Sequence, residues 1–169
     1  MTESFTNVKE GAITKGAIVE SFIAAGLIPM WSPVVTAAAG TNENLPRVQT
    51  TTTAGDTTHI GVAVGPKRST GNAADSAGQS VDVVVFGICK CTVDGSSDNI
   101  AIADMLQTKS AAGVAIKCDH FAAPATVNQA NLQSAFDAVA KKPFATALMA
   151  STASGDIIPV FVTQGGQVA

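Results

Sequence analysis

The feature that most constrains the fold is a valine-rich run in the middle of the chain, SVDVVVFGICKC at Ser80–Cys91. β-Branched side chains lose rotamer freedom in a helix and pack well on a pleated sheet, so the run predicts a β-strand. Its middle is apolar at consecutive positions, which is typical of a strand that is buried on both faces. We therefore expect a β-rich fold with this strand near its centre.

The sequence contains two similar pairs of predicted strands, and the valine-rich run contributes to the first pair. The first is Ile60–Val64, a polar loop, and Gly78–Val85; the second is Phe144–Leu148, a Ser/Thr/Gly loop, and Gly155–Val162. Two hairpins of like design predict a mostly-β fold, either a small β-barrel or a β-sandwich. Chance similarity between two Val/Ala-rich hairpins is the competing explanation. The loop of the first hairpin, Pro66–Gln79, is long and polar, and we expect it to protrude.

Three further segments have predicted conformations. One α-helix is expected near residues 127–142, because apolar residues recur there at helical spacing and Pro143 follows. Residues 17–25 favour a strand by their β-branched content, with a short helix over residues 18–25 as the alternative. Residues 99–106 fit either a strand or a helical turn, since periodicity alone does not separate the two.

The N-terminal residues differ from the rest. Residues 1–16 are polar and mixed in sign, with Phe5, Val8 and Ile13 as widely spaced apolar positions. This pattern predicts an extended N-terminal arm, followed by a single β-rich domain over residues 17–169. The first residues lack the basic and apolar regions of a signal peptide, and no apolar stretch is long enough to span a bilayer. We therefore expect that the protein is made in a cytoplasm and does not associate with a membrane.

Charge argues against a nucleic-acid partner. Charged residues are only 14% of the chain, and the formal net charge is −3. A protein that binds phosphate backbones needs a basic surface, which this composition does not offer. Ala, Thr, Ser and Gly take the place of the missing charge. Such a composition suits short strands, tight turns and surfaces that neighbouring molecules partly cover.

The sequence contains no recognisable catalytic set. The glycines at Gly61 and Gly65 are followed by Pro66 and Lys67, a spacing that fails the phosphate-binding loop and predicts a hairpin turn. The two histidines lie in no nucleophile or zinc-protease motif, and the carboxylates are scattered beside Gly or Ser, where they are typical of turns. We expect a protein that is not an enzyme and has no cofactor.

Cysteines supply the one candidate for a metal site. Cys89 and Cys91 share a strand face, as would Cys118 and His120, so two neighbouring strands would bring a Cys3His set together. The spacing is not that of a zinc knuckle, and a free cysteine is commonly a small buried apolar residue. We therefore expect no metal.

The neighbouring residues Met30 and Trp31 are the candidate oligomer or capsid interface. Trp31 lies between Pro29 and Pro33, which favour an edge strand or a bend. The tryptophan either fills the core or anchors an interface, and we favour the interface because bulky aromatic residues are frequent binding anchors.

The order of these segments resembles the capsid decoration (cement) proteins of tailed phages and related viruses. The motifs that carry the resemblance are Gly16–Val19, Ile60–Val64, Gly78–Val83, Phe144–Leu148 and Gly155–Val160. They are patterns of small residues, and they extend over the chain from position 16 to position 162. The predicted helix and the long loop of the first hairpin look like additions to this pattern.

The resemblance implies a structural protein of the virion. It would decorate and stabilise the outer surface of an icosahedral capsid by bridging subunits of the major capsid protein, as a homotrimer assembled in the host cytoplasm. The arm, through Phe5, Val8 and Ile13, would contact the capsid by adding a strand to it. The alternative is a viral head-fibre base or a host-surface or glycan-binding module, in which the loop Pro66–Gln79 touches the receptor.

Overall fold

The computed structural model describes residues 16–38, 46–118, 128–133 and 143–163. The predicted arm lies outside this range except for its last residue, Gly16, so Phe5, Val8 and Ile13 are not described, and neither is His120. The described residues form eleven strands: β1 (Ile18–Ala24), β2 (Ile28–Pro29), β3 (Pro33–Thr36), β4 (Arg47–Gln49), β5 (His59–Gly65), β6 (Asn72–Ala74), β7 (Ser80–Asp94), β8 (Met105–Thr108), β9 (Ala115–Lys117), β10 (Ala145–Ala147) and β11 (Ser154–Val162).

The fold is mostly β, as the sequence predicted, and of the two predicted architectures, barrel or sandwich, the structure has a barrel: five strands form a closed mixed barrel, with extra strands outside it. In one closed ring the strand order is β1-β4-β3-β5-β7, and β7 pairs with β1 to complete the circuit. The ring is mixed because β1 and β4 are parallel while its other pairs are antiparallel. We call this ring, with the N-terminal half of β7, the first unit.

The remaining strands of the large sheet repeat the same pairing order. They run β7-β11-β10-β8-β9, and β9 returns to β7 through one parallel pair, Val93 and Ala115. Here too one pairing is parallel and the other four are antiparallel. We call this second ring, with the C-terminal half of β7, the second unit. The strands β1, β3, β4, β5 and β7 of the first unit correspond to β7, β8, β9, β10 and β11 of the second.

The long strand β7 therefore belongs to both units. Its residues up to Phe86 pair with β1, and its residues from Gly87 onward pair with β11. Gly87 marks the change: its φ is +110°, and a Cβ at this position would lie 2.7 Å from the Cα of Ala17. Only glycine combines that backbone conformation with so close an approach by another segment.

Two hydrophobic clusters fill the fold. The first contains the inward-facing valines of the N-terminal half of β7, namely Val81, Val83 and Val85. The second contains Cys89 and Cys91 from the C-terminal half of the same strand. One valine-rich strand thus contributes side chains to both clusters, which explains why its sequence is apolar on both faces.

Most of the predicted segments are confirmed. Residues 18–24 form a strand and not the alternative helix, and both predicted hairpins are present as the antiparallel pairs β5–β7 and β10–β11. Residues 129–133 are helical, and Asn128 caps them by accepting a hydrogen bond from the backbone N–H of Asn131 at 2.8 Å. The rest of the predicted helix lies outside the described residues.

Two segments differ from their predictions. Within residues 99–106, Ile100 forms an isolated bridge to Ser151, a turn follows, and β8 begins only at Met105. The loop Pro66–Gln79 does not simply protrude. Its middle forms β6, which pairs with β2, and two small side chains of β6 are fully buried in the first cluster: Ala73 and Ala74.

A bilayer-spanning helix is not found among the residues that the structure describes.

Candidate interaction surface

The side chains of the second unit alternate between its core and solvent. In β11, Ile158, Val160 and Val162 are buried in the second cluster, and the alternate positions face outward. The same alternation holds in the C-terminal half of β7. Because successive side chains of a strand point to opposite faces, the two strands share one outer face. We call this outward side of β7, β11, β10 and β8 the outer face.

A row of four side chains crosses the outer face. Each member lies directly opposite the next on the neighbouring strand, and the order from β7 to β8 is Ile88, Phe161, Thr146 and Met105. We call this set the outer row. Residues that pair directly across strands have neighbouring Cβ atoms and form one contact surface. Met105, at the end of the row, is 59% exposed.

Further apolar side chains extend the outer row. Phe86 packs edge-on against Phe161 with ring centroids 5.3 Å apart, and it lies opposite Ile18 of β1. On the other side of the row, Ile157 and Leu148 are also exposed. Soluble proteins rarely leave a contiguous apolar surface uncovered unless it serves as an interaction site. The outer face is therefore our candidate for the functional site.

A single lysine brings charge to the part of the outer face formed by β7. Lys90 lies opposite Pro159, and its Nζ is 5.9 Å from the centroid of the Trp31 ring, a cation–π distance. Lys90 is not a member of the outer row. The four residues of the row, from Ile88 to Met105, carry no charge. A molecule that bound here would have to match the surface mainly by shape and apolar contact.

Sequence reasoning missed this surface. It singled out Met30 and Trp31 and passed over Phe86, Phe161 and Met105. The alternation of Ile157, Pro159 and Phe161 in β11 was a signal, but alternation predicts two faces without saying which one is buried. The pairing of β10, β11 and β8 brings the exposed positions together, and that pairing spans distant parts of the sequence.

Met30 and Trp31 lie at the junction of the two units. Met30 packs against the first cluster and Trp31 against the second, and both are partly buried. The Trp31 backbone N–H donates to Ala63 O at 2.8 Å, and its carbonyl accepts from the Thr92 N–H at 2.8 Å. The turn therefore connects β5 to the C-terminal half of β7. This placement gives Trp31 a role in the fold, and its role at an interface stays a prediction.

The candidate metal ligands that the structure describes, Cys89, Cys91 and Cys118, lie in different environments. Cys89 and Cys91 are core residues, and burial raises the pKa of Cys89 to about 12 and that of Cys91 well above its usual value. Metal ligation requires the thiolate, which such burial disfavours. The Sγ of Cys118 lies 3.7 Å from the Gln107 side-chain oxygen. Within the described part of the chain, no group of three or more ligand-type side chains could hold a metal ion.

The carboxylates organise turns, as their positions beside Gly and Ser indicated. Burial alone would raise the pKa of Asp56, but hydrogen bonds from Thr58 and Thr51 outweigh it and lower the pKa. The Asp56 backbone N–H also donates to Thr108 Oγ1 at 2.9 Å, which ties the segment before β5 to β8 of the second unit. The Asp56 carboxylate thus organises the turn before β5, and the Asp56 backbone connects this turn to the second unit.

The phosphate-loop comparison fails in the structure as well. Lys67 is exposed, and the loop that follows is held by its own contacts: Arg68 donates to Ser80 O at 2.9 Å, and the Asp75 N–H donates to the Gln79 side-chain oxygen at 2.8 Å. Asp75 accepts from Thr70 and Asn72, and these hydrogen bonds lower its pKa. The loop is an ordered extension of the hairpin, held by hydrogen bonds of its own residues.

The architecture is that of a mixed β-barrel with strands added outside it. No family model matches the chain, and no curated protein is detectably similar to it. Among solved structures, the chain is similar to the head fiber gp8.5 N base of bacteriophage phi29. The TM-score is 0.52 at 12% sequence identity, over 90% of this chain and 98% of that one. At this identity the likeness concerns the fold alone.

Proposed function

We propose that this chain is a structural protein of a phage virion and sits on the outside of the capsid as the base of a head fibre. The observation that carries the proposal is the extent of the fold likeness. The similarity covers 98% of the phi29 head-fibre base and 90% of this chain, so it includes both units and not one barrel alone. The resemblance of the sequence motifs to capsid decoration proteins supports the same location from independent evidence.

A decoration protein that bridges major capsid subunits is the second candidate. A specific observation favours it: the outer row carries no charge and has three apolar members out of four, as suits a wide contact with a neighbouring shell subunit. In this role the protein would be a homotrimer bound to the major capsid protein. Both candidates give the chain a structural role without catalysis, and they differ in what the particle loses when the chain is missing.

Deletion of the gene from its phage separates the two candidates. If the chain is a head-fibre base, electron cryo-microscopy should show particles without surface fibres that withstand heating as well as the wild type does. If it is a decoration protein, the particles should release DNA at lower temperature. Particles that contain none of the chain even in the wild type would end both proposals.

The predicted arm provides a second test. We propose that residues 1–15, with Phe5, Val8 and Ile13, attach the protein to the capsid and are dispensable for folding. Removal of these residues should leave the circular dichroism and the melting temperature unchanged and should abolish co-sedimentation with capsids. A full-length protein carrying Phe5→Ser, Val8→Ser and Ile13→Ser is the matched control for chain length. Unchanged co-sedimentation of both variants would contradict the arm's role.

A further inference from the structure

One turn of the first unit recurs in the second unit. Among the described residues, the non-glycine residues with a positive φ are Trp31, at 65°, and Ala103, at 72°. Each lies two residues before the strand that holds the same place in its unit, β3 or β8. The left-handed region disfavours residues that carry a Cβ, so the same strained conformation is found at the same place twice. We call residues 30–32 the first turn and residues 102–104 the second turn.

The same hydrogen bonds hold both turns to their units. In the first turn, the Trp31 N–H donates to Ala63 O of β5 at 2.8 Å. In the second turn, the Ala103 N–H donates to Ala147 O of β10, also at 2.8 Å. Ala63 and Ala147 each donate their own N–H to the carbonyl oxygen of the residue that follows the strained one, at 2.9 and 2.8 Å. The two turns are therefore one structural element that the chain uses twice.

The second turn is closed by further contacts. The Ala101 N–H donates to a carboxylate oxygen of Asp104 at 2.8 Å, and the Asp104 N–H donates to Ala101 O at 3.2 Å. The Nζ of Lys117 lies 3.2 Å from the same carboxylate oxygen. The turn is thus fixed in one conformation before any partner arrives, and a preorganised surface loses less conformational entropy on binding.

The contacts of the first turn show what this element can bind. The Trp31 carbonyl oxygen accepts a hydrogen bond from the Thr92 N–H at 2.8 Å, and the Trp31 ring lies 5.9 Å from Lys90 Nζ. Both partners belong to β7. Met30, the other large side chain of the turn, packs against the first cluster and is partly buried. The first turn is therefore docked on a β-strand through its carbonyl oxygen.

The second turn makes no such contact within the described residues. In that part of the chain, no backbone N–H donates to the carbonyl oxygen of Ala103. Ile102, which corresponds to Met30, is 68% exposed, and Leu148 and Met149 are 39% and 46% exposed. The isolated bridge at residues 100 and 151 and the pair β8–β10 flank these two residues and hold them opposite the turn. Three exposed apolar side chains thus lie beside an acceptor that lacks a described donor.

A second copy of this chain does not offer the strand that the second turn needs. The residue of β1 that corresponds to Thr92 is Ile23, because each lies directly before a fully buried residue of the parallel pair that closes its ring. The Ile23 N–H already donates to Pro46 O at 3.0 Å. The first unit of another copy therefore has no free donor at this place.

We propose that the second turn binds an exposed β-strand edge of the major capsid protein. The Ala103 carbonyl oxygen accepts a backbone N–H of that edge, and the three exposed apolar side chains supply the packing. Met105 follows the turn directly and is the exposed end of the outer row, so the turn continues the uncharged surface that suits a shell subunit. This inference rests on the proposed location on a capsid and names the contact made there.

Two variants of the full-length protein test the proposal. Ile102→Glu places a charge at the most exposed of the apolar positions, and Ile102→Ser removes the apolar contact without adding a charge. The matched control is Leu27→Glu, because Leu27 is 56% exposed and lies in the first unit, away from the second turn. Circular dichroism and thermal melting establish that each variant folds.

Co-sedimentation with particles from phage that lack the gene measures the affinity. Wild type and Leu27→Glu should bind alike, and Ile102→Glu should bind about tenfold more weakly or worse, because a charge buried without a partner is unfavourable. Ile102→Ser should lie between them. Equal affinity of Ile102→Glu and wild type would overturn this inference and leave the proposed function standing, whereas no binding by the wild type would overturn both. A lower molar mass of free Ile102→Glu in light scattering would assign the turn to a second copy and so contradict the inference.

Discussion

Lys109 donates to the carboxylate of Asp94, the last residue of β7, whose side chain is only 4% exposed. The hydrogen bond from Lys109 lowers the pKa of Asp94, and hydrogen bonds from the side chain and backbone of Ser96 add to the effect. This contact ties the end of the shared strand to the segment between β8 and β9.

The lowered pKa of Asp94 predicts an acid-sensitive contribution to stability. A carboxylate whose pKa is lower in the folded state stabilises the fold fully above its unfolded value and loses the effect as the pH falls toward its folded value. Stability should therefore decrease below a pH of about 4. Asp94→Asn should lower the urea midpoint at pH 7 and flatten this acid dependence. Asp98→Asn is the control, because that side chain is 68% exposed, and it should change the midpoint far less. Equal midpoints for wild type and Asp94→Asn at pH 7 would contradict the assignment.

The contact between β5 and β7 depends on the absence of a side chain at Gly61. A Cβ there would lie 2.0 Å from the carbonyl oxygen of Val84, which is backbone and has little room to move. Gly61→Ala should destabilise the protein by about 3 kcal/mol or more. Gly26→Ala is the matched control, since a Cβ at Gly26 meets nothing within 4 Å, and its effect should be within about 0.5 kcal/mol. Equal denaturation midpoints for the two variants would show that the strands can separate without cost.

The backbone of Trp31 predicts an unusual order of stabilities. Its φ is 65°, in the left-handed region that disfavours bulky residues, and its ring packs against the second cluster. Trp31→Ala should cost about 2 kcal/mol by losing the packing. Trp31→Gly should be more stable than Trp31→Ala by about 1 kcal/mol, because glycine adopts this φ without strain. Calorimetry of the two variants measures the difference, and a lower melting temperature for the glycine variant would contradict it.

The raised pKa values of the buried thiols predict selective labelling. At pH 8, iodoacetamide should modify the partly exposed Cys118 in the native protein and leave Cys89 and Cys91 unmodified until the protein unfolds. Mass spectrometry of peptides before and after addition of urea checks this pattern. Labelling of Cys89 at the rate of Cys118 in native protein would show that β7 opens locally.

The sequence predicted the parts of the fold that depend on neighbouring residues. The valine content of β7 and the two hairpins could be recognised because the signals lie within one strand or across one loop. It did not predict that Phe161 lies between Ile88 and Thr146, because that arrangement depends on the pairing of three strands from distant parts of the chain. Nor did it show that Ala73 and Ala74 are buried, since a loop's polarity says little about the short strand β2 that pairs with it.

The double membership of β7 has a mechanical consequence. Two barrels joined by a linker would swing apart when pulled, with the linker acting as a hinge. Here the final strand of one barrel continues without a break into the opening strand of the other, so tension applied to either half passes directly along a hydrogen-bonded backbone. Neither unit can be removed without taking a strand from the ring of the other unit, so the two units should unfold together under force.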